Sequence, residues 1–337
     1  MSSNFSIAPL KHGGDFHKVM ETGSTRQALP HDRSSELWVD HQATEKLSAS
    51  IRRWVTTLMH DEGISNPLAR DEETVKAKVW TKQAGTLAGL NAADHLLREW
   101  MPGAKWHWAV GDGAIVNAGK VILDIEGGRE QVLTAERIIL NLIGRLSGIA
   151  TNTSLWQQKA SPVGVASTRK VHWGLLDKWA VHLGGGLTHR LTRKDARMIK
   201  ENDLSTMIHK DEKRPLGISR VVSELDLDSL GAFIVLEVRT IDEAVAAAET
   251  WAQRMEKEGR KDRLTVMLDN MDTEKANEVV LDLEARQFRE LVIIEASGGI
   301  SFEDLPVWSE LGVDVISSSG LHCGTDALDV SMLFDGA

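Results

Sequence analysis

The stretch FIVLEVRTIDEAVAAAETWAQRM, residues 233–255, passes from an unbroken apolar run into a helical pattern. That change of period, from a strand buried on both faces to an amphipathic helix, is how a βα unit is written in sequence. The same alternation recurs outward from it. VGVAS (163–167) precedes it, and TVML (265–268), LVIIEA (291–296) and DVISS (314–318) follow at intervals of roughly 22–30 residues, with a second helix predicted at DTEKANEVVLDLEA (272–285). Near-continuous apolar strands predict a parallel sheet, which suits a doubly wound sheet as well as a barrel. The polar residues favour the barrel. Glu237, Asp269, Ser297 and Ser317 to Ser319 all fall at or just past the C-terminal ends of the runs, the rim on which (β/α) barrels build their active sites.

Upstream, Leu47, Ile51, Val55 and Leu58 recur at helical spacing within 36–61. Between about 74 and 134, short β-like runs at 75–80, 106–110 and 121–125 surround a helix over 92–100, the pattern of a small α+β domain. TAERIILNLIGRLSGIAT (134–151) predicts a connector helix with Thr134 as N-cap. The expected organisation is a poorly ordered extension over 1–35, an α/β domain with its connector helix over 36–150, and a barrel over 151–337.

A formal net charge of −10 argues against sequence-independent nucleic-acid binding, so an anionic ligand must meet a local basic cluster. The single cysteine, Cys323, excludes an intrachain disulfide and fits a reducing cytosol. No apolar run approaches the roughly 18–20 residues that span a bilayer, and MSSNFSIAPLKHGG lacks a signal-peptide core, so the chain reads as a cytoplasmic protein that does not enter membranes. Eleven tryptophans beside no tyrosine point to cores and interfaces rather than to a function.

The densest chemistry lies in STRKVHWGLLDKWAVHLGGGLTHRLTRKDARMIKEND (167–203), which holds Arg169, Lys170, His189, Arg190 and Lys200. Arg offers a planar fork for carboxylates and phosphates, and Lys a compact charge for a phosphate oxygen. A solvated charged face would show similar composition, but the glycine run 184–186 serves neither helix nor strand and permits close backbone approach to a ligand. EASGGIS (295–301) offers a second anion site, with Ser297 and Gly298 in a glycine turn before a helix start at Ser301. Glu237 and Asp269 supply carboxylates for ribose hydroxyls or for Mg²⁺, which takes few protein ligands and keeps waters or phosphates; a salt bridge to the basic cluster is the alternative. GAIVNAGK (113–120) departs from P-loop spacing, and His182 and His189 lack a partner set for zinc.

AERIILNLIGRLSGIAT, STRK, GGGLTHRL, IKEN, MLDN, EASGGI and GVDVIS stand in the order found in quinolinate phosphoribosyltransferases, and the chain resembles that family over roughly 40–333. The resemblance implies an α/β fold in which an N-terminal α/β sandwich domain precedes an incomplete (β/α) barrel. It further implies a homodimer with shared active sites, one subunit's N-terminal domain covering its partner's barrel. The implied reaction joins quinolinate to phosphoribosyl pyrophosphate with Mg²⁺, releasing pyrophosphate and CO₂ and forming nicotinate mononucleotide for NAD biosynthesis.

Position by position, Arg137 resembles the arginine that reaches from the neighbouring subunit. Thr168, Arg169, His189 and Arg190 resemble the carboxylate pocket, and Lys170 and Lys200 the lysines between acid and donor. Glu237 and Asp269 resemble the ribose and metal carboxylates, and Ser297, Gly298, Ser319 and Gly320 the phosphate loops. The chain departs from the pattern at Val171, His172, Trp173 and Gly174, where a tight Pro-Gly turn is usual, and at Asp203, where His is usual. It departs again at Ser319, in place of a loop glycine, and around Cys323. These departures keep two further readings open: a paralogue that phosphoribosylates another aromatic acid, and a phosphate-ligand binding protein on the same scaffold.

Overall fold

A computed structural model describes residues 29–69 and 73–335. Six parallel strands form the larger sheet, in the order Gly164–Ser167, Val315–Ser318, Val292–Ser297, Leu264–Asp269, Ile234–Val238 and Arg197–Ile199. A bridge from Ala166 to Leu187 continues the curvature past the first strand, and the 187–191 segment lines the gap before Arg197. The result is the incomplete barrel that the family resemblance implies.

Alternation along each strand sorts its side chains. Ile234, Leu236, Val238, Val266, Leu268, Ile294 and Ala296 face outward into the main hydrophobic core, beneath the helices Ile241–Glu258 and Thr273–Ala285. The opposite parity faces the barrel axis, where Val235 and Met267 pack with Phe233 and Ala196, and Ile293 and Val315 pack with Ala166. Continuing that parity to the strand ends puts Glu237, Asp269, Ser297 and Ser317 on the inside, at the C-terminal rim.

The smaller sheet is antiparallel, in the order Val330–Phe334, Thr74–Thr81, Val121–Gly128 and Lys105–Trp108. Its outermost strand is the last in the chain, so the segment expected to end the barrel returns instead to the N-terminal sheet. Helix Leu90–Trp100 packs between helix Glu45–Asp61 and the long helix Arg129–Ala160, which touches both sheets.

Three sequence expectations are corrected. The connector helix begins at Arg129, leaving Thr134 in its interior; the start is set by Gln131, whose Oε1 accepts from Gly128 N (3.1 Å) while its Nε2 donates to Leu68 O (2.8 Å). The helix expected over 36–61 begins at Glu45, because Thr44 Oγ1 caps it and Trp38–Val39 and Gln42–Ala43 form a hairpin first. Of the extension read as poorly ordered, residues 1–28 lie outside the described residues, but 29–35 pack into the barrel, with His31 fully buried. Among the described residues no helix is long and apolar enough to cross a membrane.

Candidate active site

A cleft of about 850 Å³ opens at the C-terminal rim, large enough for a nucleotide-sized ligand. The fold brings Thr168, Arg169, Lys170, His189, Arg190, Lys200, Glu237, Asp269, Ser297, Gly298, Ser319 and Gly320 together in its lining. Arg137 is not among them; it sits exposed on the long helix.

The acidic side is built from two adjacent strand ends. Glu237 pairs with the Lys200 ammonium and accepts from Glu201 N (3.1 Å), so one carboxylate holds both the lysine and the start of helix Glu201–Met207. Asp269 accepts from Arg239 Nη2 (3.4 Å) and from Asn270 Nδ2 (3.0 Å). Asn270 takes a left-handed φ of 55° and is held by its N–H to Ser297 O (2.9 Å), which ties the acidic edge to the glycine loop.

The basic side is layered. Arg169 and Lys170 are exposed at the mouth. Arg190 is buried, its guanidinium held by Ala196 O (3.5 Å) and Met198 Sδ (3.1 Å). Below it lies Lys178, which sequence reasoning missed because it sits mid-helix in a run that reads as a packing face. Its Nζ donates to Thr188 O (2.6 Å) and Ser167 Oγ (3.4 Å). Burial, reinforced by the charges of Arg169 and Arg190, pushes the Lys178 ammonium down to about 7.

His189, read as a substrate contact, has both ring nitrogens committed. Nδ1 accepts from Arg190 N (2.7 Å), and Nε2 donates to Glu295 Oε1 (3.2 Å). Burial lowers its pKa, so the ring is neutral. Glu295, also missed, is fully buried; burial alone would raise its pKa, but the hydrogen bonds it accepts from His189 and His31 outweigh this and hold it below the usual carboxylate range.

Of the departures from the family pattern, Ser319 lines the cleft, and those at 171–174, Asp203 and Cys323 fall beside it. Asp177 accepts from the N–H groups of His172 (2.8 Å) and Trp173 (3.0 Å) and pairs with Arg145 (3.0 Å), while the Trp173 ring stacks on Trp54 (5.5 Å) beneath that same arginine. The bulky ring therefore fastens the loop to helix Glu45–Asp61. Asp203 accepts from Lys200 N (2.9 Å) and caps a helix. The Cys323 thiol donates to Lys170 O (3.1 Å). The helix expected to open at Ser301 starts at Leu305, because the Asp304 carboxylate draws Ser301 N (3.0 Å) into a turn; a phosphate there would meet loop amides.

Family models for the quinolinate phosphoribosyl transferase N-terminal and C-terminal domains match residues 56–147 and 149–333. A probable nicotinate-nucleotide pyrophosphorylase [carboxylating] of Methanothermobacter thermautotrophicus is 32% identical over 294 residues, 85% of this chain and 98% of that protein. The chloroplastic nicotinate-nucleotide pyrophosphorylase [carboxylating] of Arabidopsis thaliana is 33% identical over 275 residues, 77% of this chain and 74% of the relative. Among solved structures, the nicotinate-nucleotide pyrophosphorylase of Francisella tularensis superposes with a TM-score of 0.69 at 26% identity, covering 85% of this chain and 96% of the other. The described segment 29–36, with His31, lies upstream of the family-model matches.

Proposed function

The chain belongs to the quinolinate phosphoribosyltransferase family, and on that footing we propose that its cleft joins the ring nitrogen of quinolinate to phosphoribosyl pyrophosphate. The products are nicotinate mononucleotide, pyrophosphate and CO₂. The observation that carries this reading is the opposition, within one cleft, of the carboxylates Glu237 and Asp269 to Arg169, Lys170, Lys178, Arg190 and Lys200.

Loss of pyrophosphate leaves positive charge developing on the ribose, which the carboxylates of Glu237 and Asp269 stabilise. Arg169 and Arg190 present forks to the two ring carboxylates, with Thr168 beside them, and Lys170 and Lys200 lie where acid and donor meet. Lys200 is held in place by Glu237 before substrate arrives, so little reorganisation accompanies binding. The loops at Ser297–Gly298 and Ser319–Gly320 offer backbone N–H groups to phosphate oxygens. Once the glycosidic bond makes the ring nitrogen cationic, the adjacent carboxylate leaves as CO₂ and its electron pair is drawn toward that nitrogen; a proton then replaces it.

Glu237 and Asp269 also suit Mg²⁺, since hard carboxylate oxygens facing an open cleft leave room for phosphate and water ligands. The ion would offset charge on the departing pyrophosphate. Exposed Arg137, outside its own chain's cleft, supports a homodimer in which each subunit lends this arginine to its partner.

Pyrophosphate release from phosphoribosyl pyrophosphate and Mg²⁺ tests the reading, with quinolinate, nicotinate and other aromatic acids varied as acceptor. Release with quinolinate and an equal yield of CO₂ is the expected result. Release only with another acid, or binding of the donor with no release, would overturn it. The alternative of a different acid would need residues 171–174 to shape the cleft, and their contacts with Trp54, Arg145 and Asp177 leave them outside its lining.

A further inference from the structure

Beneath the cleft, a segment from outside the barrel completes the barrel's interior. Residues 29–34 pass between Thr188 and Asp195, where the sheet does not close: Arg33 N donates to Thr188 Oγ1 (2.8 Å), and the Arg33 side chain pairs with Asp195 (3.2 Å). Leu29 packs on Ala166, Ile293 and Val315 inside the barrel. One layer higher, His31 Nε2 meets Glu295 Oε2 (3.1 Å), and the His31 ring packs against His189 (5.0 Å) and Phe233 (4.7 Å). Ser297, the next inward residue of the same strand, lines the cleft. The arm thus fills space that barrels ordinarily fill with strand side chains, directly below the ligand site.

The hydrogen-bond roles in this cluster are determined by its chemistry. A carboxylate oxygen only accepts, so each facing Nε2 carries the proton. His189 Nδ1 is already an acceptor for Arg190 N–H, which independently requires the same tautomer. Two histidines and a carboxylate also make a zinc-like donor set, but the protonated Nε2 of His189 has no lone pair to give a cation. The cluster is therefore a relay of position, in which His31 fixes one oxygen of Glu295 and the other oxygen fixes the His189 ring. The ring in turn holds the backbone N–H of Arg190, while His189 itself has a φ of 50°, in the left-handed region.

We propose that His31 is a positioning residue for phosphoribosyl transfer: by seating Glu295 it holds the 188–190 segment, and with it the Arg190 guanidinium, in the geometry that receives the acid. The proposal rests on the quinolinate reading for its kinetic form only. His31 itself does not touch the cleft.

In the full chain, His31→Leu keeps the volume and removes the donor, whereas His31→Gln keeps an N–H near the Nε2 position. The Leu variant should raise KM for quinolinate about tenfold, the worth of one buried charge-assisted hydrogen bond, with KM for phosphoribosyl pyrophosphate little changed. The Gln variant should restore most of the loss. Arg33→Ala, which loosens the arm at Asp195 outside the cleft, should shift the same constant in the same direction. Hydrogen exchange at the Arg190 amide, followed by ¹⁵N–¹H NMR, should be slow in the wild type, about tenfold faster in His31→Leu and largely restored in His31→Gln. Wild-type kinetics in His31→Leu, equal impairment in Leu and Gln, or unchanged exchange at Arg190 in His31→Leu would each overturn the proposal. If the wild type transfers to no acid, the functional reading fails, and exchange at the Arg190 amide decides the positioning role by itself.

Discussion

At Lys178 the site's chemistry depends on where a single proton resides. Its ammonium is buried under Arg169 and Arg190 and pushed down to about 7, far below an ordinary lysine. Below that pH both folded and unfolded chains hold the proton, so this group gives no slope to stability; above it the folded chain has released a proton that the unfolded chain still binds. Stability should therefore rise with pH from about 7 toward the ordinary lysine value, while the cleft loses one positive charge and KM for the acid rises several-fold across the same window. Lys178→Met should flatten both profiles, read by denaturant melts and by initial rates between pH 6 and 9 on the order of this window. Sequence reasoning found Arg169, Lys170, Lys200, Glu237 and Asp269 because they stand beside strand ends or in a basic run. It missed Lys178 and Glu295 because each sits inside an apolar stretch, WAV or VII, where only the three-dimensional partners reveal a charge. His189 was picked for its type; it lines the cleft, with both ring nitrogens hydrogen-bonded inside the chain.

At the scale of elements, turns hold the two sides of the cleft in register. Gly298 has a φ of 104°, and a Cβ there would lie 2.4 Å from Asn270 Oδ1 and 2.8 Å from Asn270 N. Gly298→Ala should cost about 1–3 kcal/mol in a denaturant melt and, by displacing Asn270 beside Asp269, lower kcat more than the stability loss alone accounts for. Strand positions were legible because buried parallel strands leave unbroken apolar runs such as FIVLEV and LVIIEA. Arg197–Ile199 was not, since three residues amid ARMIK give no period to read. The start of the long helix was equally hidden: Gln131 caps it through contacts with Leu68 and Pro102 that are distant in sequence, while Thr134 only has the composition of a cap. The tryptophans acquire a purpose here too. Trp106 and Trp108 both donate to Asp94 Oδ1 (2.8 and 3.0 Å), pinning a strand to helix Leu90–Trp100.

At the scale of the whole molecule, the expected dimer makes a distinct prediction. If exposed Arg137 serves the neighbouring cleft, Arg137→Ala and Lys200→Ala chains, each inactive alone, should regain up to about a quarter of wild-type activity when mixed, because random pairing gives half heterodimers with one intact site each. Rates measured on a purified, doubly tagged heterodimer would check this, and no recovery there would mean self-contained sites. The change in rhythm near residue 150 predicts two domains, but the return of Val330–Phe334 to the first sheet was not legible, because VSMLF reads like any other short strand. That crossing bears on how the chain is made. Thr74–Thr81 waits for Val330–Phe334 across about 250 residues of intervening chain, on the order of tens of seconds of translation. Throughout that interval the nascent protein shows the ribosome and its chaperones an open edge, and of the two large sheets the one that emerges earlier is the later to be finished.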